Sequence, residues 1–131
     1  MHCQPKVIAV LAAFSVSFAP SPATADDSAM KLFAVEIKTG PTWDSAKAPN
    51  EQAFFAEHSA NLKRLRDAGH IVMGARYSDI GLIVFSARSA DEVSEYMDRD
   101  PSMAAGTFVY EVHALTVFYS GKLGTAAEKP H

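Results

Sequence analysis

The chain has 131 residues, 12 Lys and Arg against 15 Asp and Glu for a formal net charge of −3, 48% hydrophobic residues and a single cysteine. That is one domain's worth of chain. A mildly acidic balance without a basic cluster argues against a nucleic-acid partner, and one cysteine excludes a disulfide framework or a cysteine-based metal site.

The first segment reads as separate from the domain. Lys6 is the only permanent charge before Asp26, the apolar run 7–14 continues through residues 15–19, and Pro20 and Pro22 lead to Ala23, Thr24 and Ala25. This is the order of n-region, h-region and small-residue cleavage site in a secretory signal peptide, with cleavage expected after Ala25. Roughly 13 apolar residues fall short of the ~20 that span a bilayer as a helix. Export to the periplasm or medium is the expectation, with no membrane association once the signal is removed. Cleavage would also remove Cys3, which precedes the h-region, and with it any thiol chemistry. The remaining divisions are a disordered leader at 26–30, a domain at 31–120 and a disordered tail at 121–131.

Within the domain, residues 31–38 alternate, with Phe33, Val35 and Ile37 on one side and Leu32, Ala34 and Glu36 on the other, which predicts a strand. It ends at Thr39, Gly40 and Pro41, and residues 42–48 read as a loop. Residues 50–68 predict a helix whose apolar stripe holds Phe54, Phe55, His58, Leu62 and Leu65, closed by Gly69 as its left-handed cap. Residues 70–77 and 82–85 predict two strands of a hairpin linked through Ser78, Asp79 and Gly81. Ser89 with Glu92 forms a capping box for a second helix bearing Val93, Tyr96 and Met97. Asp100-Pro101 opens a short helical turn ending at Gly106, and residues 107–119 predict a final strand. The order βαββαβ is that of an α+β, ferredoxin-like sandwich. Both helices cover one sheet face. The apolar run at 82–85 implies that the other face is buried as well, and a second copy of the chain is the simplest cover, giving a dimeric α+β barrel.

Among the residues that carry chemistry, His58 stands first because it lies in the middle of an apolar helix stripe. It reads either as a core histidine satisfied by a backbone carbonyl or as an acid/base group oriented by a carboxylate. Asp79, at the end of the strand after the helix, is the candidate partner, and reads equally as a plain turn residue. Asp100 has a structural explanation as an N-cap before Pro101. His58, His70 and His113 fall on three elements with no metal-ligand spacing, so no metal is expected. His113 shares a strand face with Glu111. Phe54, Phe55 and Trp43 are candidates for an apolar ligand wall.

Residues 58–69, the Met73-Gly74-Ala75 run followed by Asp79, and Asp100-Pro101 with Gly106 together resemble the YciI-like (YCII-related) family over roughly residues 32–119. The resemblance implies a dimeric ferredoxin-like α+β barrel. It also implies a pocket in which His58 and Asp79 form an active-site pair with Asp100 nearby. The chain has Phe55 where the family usually has an arginine and Gly74-Ala75 where it has Gly-Pro; loss of that cation gives less support to an anionic substrate. The expected function is a cofactor-free acid/base enzyme, isomerase- or lyase-like, using His58 and Asp79 on a small organic molecule, with Phe54, Phe55 and Asp100 lining its pocket. The alternative is a dimeric module of the cell envelope that binds a small ligand without chemistry.

Overall fold

The computed structural model describes residues 12, 13, 15–17 and 29–124. Most of the expected signal peptide, leader residues 26–28 and tail residues 125–131 lie outside the described residues.

Strand β1 (Lys31–Thr39) alternates as its sequence dictates. Phe33, Val35 and Ile37 are buried, and Leu32, Ala34, Glu36 and Lys38 are half-buried on the opposite face. It is an inner strand of an antiparallel sheet ordered β2-β3-β1-β4, with β2 at Ile71–Tyr77, β3 at Ile80–Ala87 and β4 at Phe108–Ala114. The register sets Phe33 opposite Phe85, Val35 opposite Val112 and Ile37 opposite Tyr110. Like-facing side chains from three strands thus gather on one face. Helices α1 (Phe55–Asp67) and α2 (Ala90–Asp98) close it with Leu65, Val93 and Met97, all fully buried. Burial of such a side chain contributes about 1.5–3 kcal/mol. The result is the βαββαβ α+β sandwich expected from the element order.

The second sheet face carries Leu32, Ala34, Leu82 and Val84 alongside Glu36, Lys38, Glu111 and His113. Val84 is buried even there, and the others are half-buried or exposed. Among the described residues no helix is long and apolar enough to cross a membrane.

Two elements depart from the sequence pattern, and tertiary hydrogen bonds explain both. The helix expected at 50–68 is broken. A 3-10 turn at Pro49–Glu51 precedes Phe54 in a left-handed conformation (φ 60°), and α1 begins at Phe55. The buried Gln52 side chain accepts from the Asp44 amide at 2.9 Å and donates to the Asp44 carbonyl at 2.6 Å. The Thr107 hydroxyl donates to the Ala53 carbonyl at 2.8 Å. These bonds pull residues 52–53 out of helical geometry and turn Phe54 off the stripe. The final strand stops at Ala114, followed by a single bond from the Leu115 amide to the Leu32 carbonyl at 3.0 Å. With β1 beginning at Lys31, which lies opposite residue 116, residues 117–119 have no further length of its strand to pair with.

The chemistry-bearing residues are positioned by short caps. Ser89 accepts from the Glu92 amide at 3.2 Å, while the Glu92 carboxylate reaches the Arg88 amide at 2.8 Å, one residue beyond the expected capping box. Helix α3 (Pro101–Ala104) is capped by Asp100, which accepts from the Ser102 amide at 3.0 Å. Gly40 lets the end of β1 approach the chain entering β4: its amide donates to the Thr107 carbonyl at 2.8 Å, and a Cβ there would lie 2.1 Å from the Gly106 oxygen. That approach brings the following loop, with Trp43, onto Phe108, whose ring centroid lies 5.5 Å from the indole.

Candidate functional site

The first turn of α1 carries His58 inward, and the cap of α3 carries Asp100 to meet it. His58 is 7% exposed and Asp100 0%. His58 Nδ1 lies 2.6 Å from Asp100 Oδ2. The other carboxylate oxygen, Oδ1, accepts from the Ser102 hydroxyl at 2.7 Å and from the Ser102 amide at 3.0 Å. Asn61, one turn along α1, donates its amide to Oδ2 at 3.4 Å, and Arg64, a further turn along, donates to the Asn61 carbonyl oxygen. Burial alone pushes the Asp100 carboxyl up, but the hydrogen bonds from His58 and Ser102 outweigh it and hold it below the ordinary carboxylate range.

An ionised carboxylate has no proton to give, so Nδ1 of His58 must carry the hydrogen. In the neutral ring the lone pair is then on Nε2. Among the described residues nothing hydrogen-bonds Nε2, and no fully buried side-chain nitrogen or oxygen lacks a partner. Nε2 is therefore the ring nitrogen left without a protein partner and not fully buried. The ring packs against Phe108 with centroids 4.6 Å apart, and Trp43 and Phe55 tilt onto the same Phe108 at 5.5 and 6.4 Å. Beyond Phe108 a groove of about 460 Å³ is lined by Asp98, Met103, Ala104, Val109 and Tyr110. These are the parts that a general base requires: a ring nitrogen with a free lone pair, a carboxylate fixing the tautomer, and an apolar wall.

The expected partner of His58 is corrected. Asp79 lies on the exposed turn between β2 and β3, where its carboxylate accepts from the adjacent Ser78 hydroxyl at 3.3 Å. No bond to His58 is present; the carboxylate that reaches the ring comes from Asp100, 42 residues along the chain. Asp100 is both a helix cap and the partner of His58. Of the three expected wall residues, Trp43 and Phe55 join the Phe108 cluster, whereas Phe54 is turned outward and is 45% exposed. Asn61, Ser102 and Phe108 were not singled out from sequence. Asn61 had a legible signal, being polar and one turn from His58 on the same helix face.

The three histidines stay apart. His70 stacks on Tyr96 with centroids 4.6 Å apart, and His113 lies on the second sheet face. There Glu36, Glu111 and His113 each bring a ligand atom within 4.8 Å of the others. The Lys38 ammonium, 3.5 and 3.8 Å from the two carboxylates, already supplies positive charge to them.

Fold and site together define a small α+β sandwich built around a buried histidine–carboxylate pair. The chain belongs to the family of the YCII-related domain, which matches residues 30–116. Among solved structures it is similar to 5-chloro-2-hydroxyhydroquinone dehydrochlorinase from Burkholderia phenoliruptrix AC1100, in complex with 2,5-dihydroxybenzoquinone. The two are 25% identical, with 65% of this chain and 93% of that chain covered and a TM-score of 0.49. No curated protein matches the chain.

Proposed function

We propose that the domain is a cofactor-free acid/base enzyme in which His58, oriented by Asp100, moves a proton on a small uncharged organic molecule held against Trp43, Phe55 and Phe108. The observation that carries this reading is the 2.6 Å bond from His58 Nδ1 to a carboxylate that is 0% exposed, with Nε2 left without a partner among the described residues. Burial of an ionised group is costly unless it is fully hydrogen-bonded, and a core that needed only packing would be served as well by a leucine. His58 and Asp100 between them supply the proton acceptor and its orientation. An apolar wall, with Phe55 in place of a cation, favours a neutral substrate.

A probe that needs no knowledge of the natural substrate is 5-nitrobenzisoxazole, an uncharged aromatic whose ring opens when a base removes one C–H proton. The expected result is saturable turnover that falls by about 10²- to 10⁴-fold in His58→Gln and is unchanged in Asp79→Asn. Equal rates in wild type and a folded His58→Gln would overturn the reading. The groove beside Phe108 favours a second reading, a binding module without chemistry. In that case phenol or benzimidazole would bind at Phe108 by NMR while no probe is turned over.

Homodimerisation through the second sheet face is part of the proposal. It is supported by the apolar residues Leu32, Ala34, Leu82 and Val84 on that face. Phe118 and Tyr119, 86% and 93% exposed just beyond β4, add large apolar surface in need of cover. Light scattering after gel filtration should give twice the chain mass for wild type and a monomer for the Ala34→Arg, Leu82→Arg double variant. A monomeric wild type would reject it. Export with cleavage after Ala25 is supported by the order of segments within residues 1–25. It is tested by the N-terminal sequence of protein recovered from a periplasmic fraction, where Asp26 is expected as the first residue.

A further inference from the structure

Three side chains on one face of α1, at positions 58, 61 and 64, form a hydrogen-bonded row that ends on Asp100. Each link has a forced direction. Arg64 carries donors only, so the group of Asn61 that faces it must be the carbonyl oxygen. That leaves the Asn61 amide NH₂ facing Asp100, an acceptor-only carboxylate, at 3.4 Å. The guanidinium therefore settles which way the Asn61 amide points, an orientation that the asymmetry of asparagine would otherwise leave free. Arg64 has no carboxylate partner among the described residues, so its charge is available to this row.

The consequence concerns the form in which His58 is useful. As a base the ring is neutral, and Asp100 is then a buried anion without an adjacent cation. Its charge is shared by the Ser102 hydroxyl and amide on Oδ1 and, on Oδ2, by the Asn61 dipole aligned with Arg64. With that dipole removed, the anion must be compensated more fully by a proton on the ring, and the pair holds its proton to higher pH. We propose that Asn61 and Arg64 are positioning residues that keep the His58–Asp100 pair in its proton-accepting form, Arg64 by fixing the Asn61 amide and Asn61 by sharing the charge of Asp100. The inference rests on the acid/base reading of this site.

Other groups around the pair do not duplicate this role. The α3 cap contributes Ser102, β4 contributes Phe108, and the preceding loop contributes Trp43, which carries no charge. Glu57 and Arg99, the ionisable chain neighbours of His58 and Asp100, are exposed like Arg64 but, among the described residues, make no hydrogen bond or ion pair to the row.

The test is an NMR titration of the pair, following His58 ring nitrogens and the Asp100 carboxyl carbon, in the full chain of wild type, Asn61→Leu, Arg64→Met and Arg64→Lys. The expected result is an upward move of the pair's apparent titration by about one unit in Asn61→Leu and about half a unit in Arg64→Met. Arg64→Lys, which keeps a cationic donor, should return towards wild type. A purely structural role would lower the melting temperature without moving the titration. Unmoved titrations in folded Asn61→Leu and Arg64→Met, or a shift in Arg64→Lys as large as in Arg64→Met, would overturn the proposal. Because the titration uses no substrate, an inert wild type in the benzisoxazole assay would reject the catalytic reading while leaving this result to stand or fall separately.

Discussion

Replacement of Asp100 by Asn separates the two roles of this residue, because asparagine caps a helix as well as aspartate does. In Asp100→Asn the amide oxygen keeps the place of Oδ1 and still accepts from Ser102, at 3.0 Å from its amide and 2.7 Å from its hydroxyl in the native chain. The NH₂ then takes the place of Oδ2, where it meets two donors, His58 Nδ1 at 2.6 Å and Asn61 Nδ2 at 3.4 Å. Only the ring can adapt, by moving its hydrogen to Nε2 so that Nδ1 accepts. A bond to a charged group contributes about 1.5–3 kcal/mol and a neutral one about 0.5–1.5 kcal/mol, so the His58 link alone loses about 1 kcal/mol. Weaker bonds at Ser102 and the stranded Asn61 amide bring the total to about 2 kcal/mol, or roughly 8–16 °C in melting temperature for a domain of this size. Thermal unfolding measures the loss, and the ring ¹⁵N shifts of His58 report the tautomer. A melting temperature within 3 °C of wild type, or a ring that keeps hydrogen on Nδ1, would refute the reasoning; these thresholds lie about twofold or more below the expected effect. Asp79→Asn, on an exposed turn, should stay within about 0.5 kcal/mol of wild type.

The same carboxylate sets an acid limit on stability. Asp100 is held below its unfolded value, so its contribution is fully present above about pH 4 and is lost as pH falls through the lower folded value; urea midpoints measured down that range should fall in wild type and fall less steeply in Asp100→Asn. Gly40→Ala places a methyl group 2.1 Å from the Gly106 carbonyl oxygen, a backbone clash that should destabilise the domain by about 3 kcal/mol or more in chemical denaturation. Phe108→Ala removes the ring on which Trp43, Phe55 and His58 converge. It should lose about 3 kcal/mol and shift Trp43 fluorescence to the red; an unshifted spectrum would argue against the indole packing described.

The periodic part of the molecule was legible in the chain alone. Alternation in residues 31–38 chose which side of β1 faces the helices, because a strand's side chains point to opposite faces by geometry alone. Ser89 and Asp100-Pro101 marked two helix starts, since their hydrogen bonds are local to a few residues. The stripe around His58 identified that ring as buried. Tertiary structure alone decided which carboxylate meets it. Asp79 and Asp100 were both available by type, and the choice depended on where the α3 cap comes to lie against the first turn of α1. No spacing over 42 residues encodes that placement. The left-handed Phe54 was decided the same way, by Gln52 and Thr107 holding the chain from outside the helix. Short-range hydrogen bonds and side-chain period belong to the sequence, whereas the meeting of distant groups belongs to the packed fold.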